Sequence, residues 1–221
     1  MSETDASATR AAELGTSMVS DALDALGRRQ QCLGWDIGPI CGTTPAVAIA
    51  GRAHPLAVEV VETPATTPYV GLLAALDAVG PGDLVVLPTS RDVTAAVWGE
   101  LLSTACRARG AVGVVTDGVV RDVPQINELG FPVFARGTRP TDIDGRLEVV
   151  AHGVEARIDD VTIAPGDLVV ADEDGVVVVP SDLVEAALAH ASAKRDDEGS
   201  FRRAVEDGMS PSDAYRKYRV L

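Results

Sequence analysis

Apolar residues recur along this chain with two different periods, and the changes of period mark its elements. Val19, Leu23 and Leu26 stand at helical spacing, with Thr16 placed to cap the start and Gly27 to end it, so a helix is predicted over Thr16–Leu26. The dozen residues before it are small and polar and are predicted to be frayed. Arg28–Thr44, with Gly34, Gly38, Pro39 and Gly42, reads as an irregular connection. Ala46–Glu62 holds two β-rich runs split by Gly51, and Pro64 and Pro68 break the chain before a helix at Tyr69–Ala78. A short strand (Val93–Trp98), Gly99, a helix (Glu100–Arg109) with Leu101, Ala105 and Ala108 along one face, Gly110 and a strand (Val112–Thr116) follow. A helix at Pro124–Leu129 precedes a short strand within "GFPVFARG", and "GVEARIDDVTIAPGDLVVADEDGVVVVP" is all strands and turns. An Ala-rich helix runs from Ser181 to Arg195, and Ser210-Pro211 opens a last one by the serine-cap, proline-first pattern. The sum is a mixed α/β fold over residues 1–221 with no linker long enough to divide it, closed by a helical tail over residues 196–221. "PGDLVV" occurs at Pro81–Val86 and at Pro165–Val170, which is either a duplicated unit or one good turn-and-strand phrase used twice.

Composition narrows the function classes. Aromatics are only 4%, so the core has to be built from Val, Leu, Ile and Ala. A formal charge of −14 leaves no basic surplus for a nucleic-acid backbone or an acidic membrane, although a local basic pocket for a small carboxylate stays possible. Cys32, Cys41 and Cys106 show no CxxC spacing and fit a reducing compartment. The start "MSETDASATRAAEL" lacks an apolar leader core and no run is long enough to cross a membrane, so a cytoplasmic protein is expected.

Chemistry concentrates in "VWGELL" and "GVVRDV". A helix that starts straight after Gly99 leaves the amides of Leu101 and Leu102 unpaired, and its dipole favours an anion there. Glu100 reads either as a first-turn acid that complements the dipole or as a site residue. Two parallel strands linked by a helix bring that helix start and the loop after the second strand to one sheet end, where ligands bind in open α/β folds. Glu100, the Leu101 and Leu102 amides, Arg121 and Asp122 are therefore expected in one crevice. Arginine with free amides grips a carboxylate, and nearby carboxylates suit magnesium. Such a pocket stabilises the enolate formed when a C–C bond beside a ketone breaks. The alternative is an exposed Arg-Asp pair of little consequence.

"WGELLSTACRARGAVGVVTDGVVRDV" (Trp98–Val123), continuing into "LGFPVFARGTRPTD", resembles the RraA-like family, as do "VSDALDALG" near the start and "AGRA" at Ala50–Ala53. That family holds class II 4-hydroxy-4-methyl-2-oxoglutarate/4-carboxy-4-hydroxy-2-oxoadipate aldolases and regulators of ribonuclease activity A. Its aldolase signature is an acid, twenty intervening residues, Arg-Asp, and an acid three positions on. Glu100, Arg121 and Asp122 satisfy the first part, while Gln125 stands where the last acid falls and Glu128 is out of register.

The resemblance implies a swivelling β/β/α fold, mixed sheets with flanking helices, assembled as homotrimers or pairs of trimers with active sites between subunits. It implies Asp122 as ligand of magnesium or manganese and Arg121 as clamp on the pyruvyl carboxylate and enolate oxygen. The amides of Leu101 and Leu102, beside Gly99, are then a second carboxylate grip, and Glu100 holds a metal-bound water and serves as base for the C4 hydroxyl. Glu198 is the candidate contributed by a neighbour, and Asp117 is a further candidate beside the Arg-Asp pair. Oxaloacetate decarboxylation follows from the same pyruvate enolate, and the alternative function is inhibition of an endoribonuclease. His54, His152 and His190 form no ligand motif, "DEDG" at Asp172–Gly175 reads as a tight turn, Cys106 as buried filler, and Lys194–Gly199 as a solvated helix end.

Overall fold

A computed structural model describes residues 3–42 and 48–220. In chain order the elements are α1 (Glu3–Ala25), β1 (Gly38–Cys41), β2 (Ile49–Val60), α2 (Val70–Ala78), β3 (Asp83–Leu87), β4 (Ala96–Trp98), α3 (Glu100–Ala108), β5 (Gly113–Thr116), β6 (Val119–Val120), α4 (Val123–Leu129), β7 (Val133–Ala135), β8 (Gly137–Thr138), β9 (Leu147–His152), β10 (Ala156–Ile158), β11 (Val161–Ile163), β12 (Leu168–Asp172), β13 (Gly175–Val179), α5 (Val184–Glu206) and α6 (Pro211–Tyr218). The mixed α/β class expected from the sequence is what forms.

The main sheet runs β1-β7-β5-β3-β2-β12-β13, with β9 on the far half of β2. β3, β5 and β7 are parallel to one another and to β2, and both of their faces are covered, which is why "DLVVL", "GVVT" and "VFA" are almost uninterrupted apolar runs. Val85, Leu87, Val114 and Val133 point to the side packed by Leu72 and Leu76 of α2, Cys106 of α3 and Ile126 of α4. Leu84, Val86, Val115 and Phe134 point the other way, against Ile158, Val161 and Ile163 of the β10–β11 hairpin. A third cluster joins α1 and α5 to the outer faces of β12 and β13 through Leu23, Leu188, Val170 and Val179. β4, β6 and β8 form a separate, three-stranded parallel sheet.

Several expectations change on contact with the fold. The N-terminal segment is not frayed: it is helical from Glu3, Ala11 is fully buried, and Arg10 donates to the Leu188 carbonyl at 2.9 Å. Alanines at positions 8, 11 and 12 give it a small apolar stripe that suits close packing on α5. A kink at Gly15 (φ 78°) restarts the helix at Thr16, whose N–H and hydroxyl donate to the Asp172 carboxylate at 2.8 and 2.6 Å, so this cap comes from the β12–β13 turn. Gly51 does not split β2. A Cβ there would lie 2.6 Å from Val112 Cγ2, so this glycine permits close packing inside one continuous strand, while Ala46 and Val47 lie outside the described residues. The two Pro-Gly-Asp phrases share one turn, in which Asp83 and Asp167 accept from the N–H of Gly80 and Ala164, both at 2.8 Å. The strands they open flank β2, one parallel and one antiparallel.

His54 and His152, distant in sequence, stack with ring centroids 5.8 Å apart across β2 and β9. Burial holds His54 below the ordinary imidazole value and His152 adds to this, while Asp83 and a backbone hydrogen bond with Ala75 oppose it. Depressed protonation in the fold means the unfolded chain binds the extra proton below the ordinary value of 6.5, so stability present above that pH is lost as pH falls. The melting temperature is expected to drop between pH 7 and pH 5, with a shallower drop in His54→Gln; equal slopes would exclude this histidine as the cause. A second expectation concerns the seat of α2. A Cβ on Gly71 would lie 1.8 Å from the Val149 carbonyl oxygen of β9. Gly71→Ala should therefore cost on the order of 3 kcal/mol in chemical denaturation, whereas Gly38→Ala, with nothing within 4 Å, should cost about 0.5 kcal/mol or less.

Candidate active site

The carboxyl ends of β3, β5 and β7 would be the usual place for a ligand, but here they are filled by the protein's own charges. Asp117, 1% exposed, accepts from the N–H and hydroxyl of Thr89 at 2.5 and 3.1 Å and from the Arg91 N–H at 2.9 Å. This holds the loop in which Ser90 and Arg91 are both left-handed (φ 54° and 65°). Arg136 pairs with Asp36 and Asp159, and Asp159, paired with Arg91 at 2.6 Å, is held below the usual carboxylate range chiefly by that bond. Asp117 thus fastens a loop and is not brought to the Arg121 corner.

That corner is built instead by the small parallel sheet. Arg121 follows β6, a two-residue strand, and not β5 as the sequence suggests, because Asp117-Gly118 turns the chain out of the main sheet. Val120 is the register partner of Trp98, and the Arg121 N–H donates to the Trp98 carbonyl at 2.9 Å. Trp98 itself is anchored by its Nε1–H, which donates to Ser103 Oγ at 2.8 Å, and by stacking on Phe131 at 6.4 Å, worth about 0.5–1.5 kcal/mol. The chain then passes through Gly99 into α3, whose start lies beside Asp122.

The approach is close. The Glu100 N–H donates to Asp122 Oδ2 at 3.3 Å, and a Cβ on Gly99 would lie 2.6 Å from the same oxygen and 3.3 Å from Arg121 Cγ. Gly99 offers no side-chain cap, and the first N–H to bond back into the helix is that of Ser103, to the Gly99 carbonyl at 3.1 Å. Leu101 and Leu102 precede it, so their amides have no carbonyl within α3 to pair with. Asp122 is left-handed (φ 60°), a conformation aspartate tolerates better than most residues, and this bend turns β6 into α4. The Arg121 guanidinium lies between Asp122 (3.7 Å) and Asp142 (3.6 Å). Asp142 accepts from the Tyr69 hydroxyl at 3.1 Å, and burial and this bond raise the phenol above its ordinary value. Tyr69 and Asp142 carry no signal in sequence, since their contact with Arg121 is long-range.

Gly99, Glu100, Leu101, Leu102, Arg121 and Asp122 therefore share one corner. Glu198 does not join them in one chain: it pairs with Lys194 at 3.6 Å on α5, whose main helical neighbours are α1 and α6. The buried side of α3 is Ser103 and Cys106, and Leu101 is 78% exposed beside the corner, opposite to the face expected. Ser103 can be buried because its hydroxyl donates to the Gly99 carbonyl at 3.0 Å. Among the described residues no group of three or more metal-ligating side chains exists, so a cation here would be held by Asp122 with water filling most positions, as magnesium accepts.

A family model described as RraA-like, Aldolase/RraA, matches residues 16–178, and the chain belongs to that family. A relative from Halalkalibacterium halodurans bearing the name "Putative 4-hydroxy-4-methyl-2-oxoglutarate aldolase" is 32% identical over 200 residues, 90% of this chain and 89% of that protein. Among solved structures, an uncharacterized protein of Pseudomonas syringae pv. tomato superposes with a TM-score of 0.82 at 30% identity, covering 95% of this chain and 96% of that one. Streptomyces coelicolor RraAS2, described as an unusual member of the RNase ES inhibitor RraA family, gives 0.78 at 29% identity, covering 92% and 98%. No helix among the described residues is long and apolar enough to cross a membrane.

Cys106 sits on α3 within reach of this corner in sequence, but burial pushes its thiol up to about 12 and that of Cys41 up to about 11. Neither supplies a nucleophile near neutral pH. At pH 8 a thiol reagent is expected to modify only the exposed Cys32 in the folded protein and all three cysteines after unfolding; labelling of Cys106 in the native state would contradict this.

Proposed function

We propose that the chain is a divalent-metal-dependent class II pyruvate aldolase. It cleaves 4-hydroxy-4-methyl-2-oxoglutarate-like substrates to pyruvate and a second keto acid, with oxaloacetate decarboxylation as a side reaction. The observation that carries this reading is the meeting of the α3 start with the Arg121-Asp122 bend, marked by the 3.3 Å contact from the Glu100 N–H to Asp122.

Each group has a task. Arg121, near two carboxylates but hydrogen-bonded tightly to neither, keeps N–H groups for the pyruvyl carboxylate and for the oxygen on which charge develops. The amides of Leu101 and Leu102 supply the second grip. Asp122 would hold magnesium or manganese, which when bound would supply Lewis-acid stabilisation of the developing enolate. Glu100, oriented by a hydrogen bond from Thr104 Oγ1 to its Oε1 at 2.8 Å, takes the proton of the C4 hydroxyl. The C3–C4 pair then moves onto the keto fragment as the second keto acid leaves, and C3 regains a proton to give pyruvate. The exposed Leu101 supports a site covered by a neighbouring subunit in a homotrimer or homohexamer, the setting in which Glu198 of another copy would reach it.

A second reading, inhibition of an endoribonuclease, is favoured by the likeness to RraAS2 and by Gln125, exposed on α4 where the family signature has an acid. Pyruvate release from 4-hydroxy-4-methyl-2-oxoglutarate and oxaloacetate, with magnesium present, separates the two. Asp122→Ala and Arg121→Ala are each expected to lose several powers of ten in rate, at about 1.4 kcal/mol per factor of ten, and chelation should abolish turnover. No pyruvate from either substrate, beside an active family aldolase, rejects the aldolase; ribonuclease capture unaffected by Asp122→Ala would support the inhibitor.

A further inference from the structure

The small sheet has a third strand, and its end carries another arginine. β6 and β8 are parallel, with Val119 opposite Gly137 and Val120 opposite Thr138. The ladder continues one step further: the Arg139 N–H donates to the Val120 carbonyl at 2.9 Å, as the Arg121 N–H donates to the Trp98 carbonyl at 2.9 Å. Arg139 therefore occupies on β8 the position that Arg121 occupies on β6. Neighbouring strands lie about 4.8 Å apart, and in-register positions set their Cβ atoms on the same face. The chain beyond Arg139 bends back so that Asp142 reaches Arg121 at 3.6 Å, which keeps this segment against the corner.

Arg139 is also uncommitted. Its Nε donates to Thr141 Oγ1 at 3.3 Å, the side chain is exposed, and among the described residues no carboxylate lies within ion-pair distance of it. The four N–H bonds of its two terminal nitrogens are left for an anion. Arg136, three residues earlier, is by contrast consumed by Asp36 and Asp159.

We propose that Arg139 is the specificity-determining residue for the distal carboxylate of the substrate, so that the site prefers dicarboxylic keto acids with a five-carbon main chain to their monocarboxylic counterparts. This rests on the aldolase reading, in which Arg121 holds the pyruvyl end. Four C–C bonds of about 1.5 Å separate the terminal carboxyl carbons of such a substrate, an extended span on the order of 5 Å, which matches the strand spacing between the two arginines. No bond is made or broken by Arg139, and its effect falls on binding.

The test compares 4-hydroxy-4-methyl-2-oxoglutarate with 4-hydroxy-4-methyl-2-oxopentanoate, which has a methyl in place of the distal carboxylate, in wild type, Arg139→Ala, Arg139→Gln and Arg139→Lys. Arg139→Ala and Arg139→Gln should lower kcat/KM for the dicarboxylate about 10- to 100-fold, mainly through KM, and for the monocarboxylate less than threefold. Arg139→Lys should recover part of the loss, since it restores charge without the fork. Equal losses on both substrates, or none, overturn the proposal. Calorimetry with the uncleaved pair 2-oxoglutarate and 2-oxopentanoate, in the presence of magnesium, reads the same contact without turnover. A wild-type preference for 2-oxoglutarate that Arg139→Gln erases sustains the proposal even if no pyruvate is ever released and the aldolase reading falls; the absence of that preference overturns it.

Discussion

The contact on which the site depends is the approach of the Gly99 backbone to the Asp122 carboxylate. A Cβ at Gly99 would sit 2.6 Å from Oδ2, so any side chain there would push the Asp122 carboxylate away from the start of α3. The remaining geometry follows from this. Trp98, locked by Ser103 and Phe131, fixes where β4 ends, and the left-handed turn at Asp122 fixes where α4 begins. Arg121 lies between them, with its backbone in the ladder and its guanidinium facing outward between two acids.

The charges in the corner bear on how an acidic protein would hold the acidic substrate proposed for it. Across the chain the formal charge is −14, which repels dicarboxylates and attracts divalent cations. Counted with the proposed Arg139, the corner sets Glu100, Asp122 and Asp142 against two arginines, one negative charge in excess, and a single divalent ion would invert that sign. In the proposed reaction cation and anion binding would then be coupled: the substrate would meet a favourable field only once the metal was in place.

Much of this was legible because it is local. Strand, glycine and helix in "VWGELL" encode the helix start directly, and the family likeness of Trp98–Val123 places Arg121 and Asp122 with respect to Glu100. What escaped the sequence is non-local or too short to have a period. β6 is only two residues long, too short for a period of its own, so the sequence pattern assigns Arg121 to the neighbouring strand of the main sheet. The buried side of α3 departs from the Leu101, Ala105 and Ala108 face because Ser103, though polar, finds its partners in Trp98 and the Gly99 carbonyl. Asp117 stood close enough in sequence to look like a site residue, yet its carboxylate is spent on Thr89 and Arg91. The first half of α1 looks frayed in sequence because its alanine stripe is weakly apolar by itself; helix α5 makes it a core.

The brevity of β6 has an evolutionary consequence. Two register pairs hold it to β4, and successive residues of a strand face opposite sides. One codon gained or lost at the Asp117-Gly118 hinge would rotate Arg121 to the far face and exchange Val120, which packs in the first apolar cluster, for Val119, also buried, while leaving the strands of the main sheet and the outer helices outside the change. A lineage can thus shed its chemistry in one indel and keep a well-packed scaffold for other uses, a route by which enzymes and binding proteins come to share one architecture.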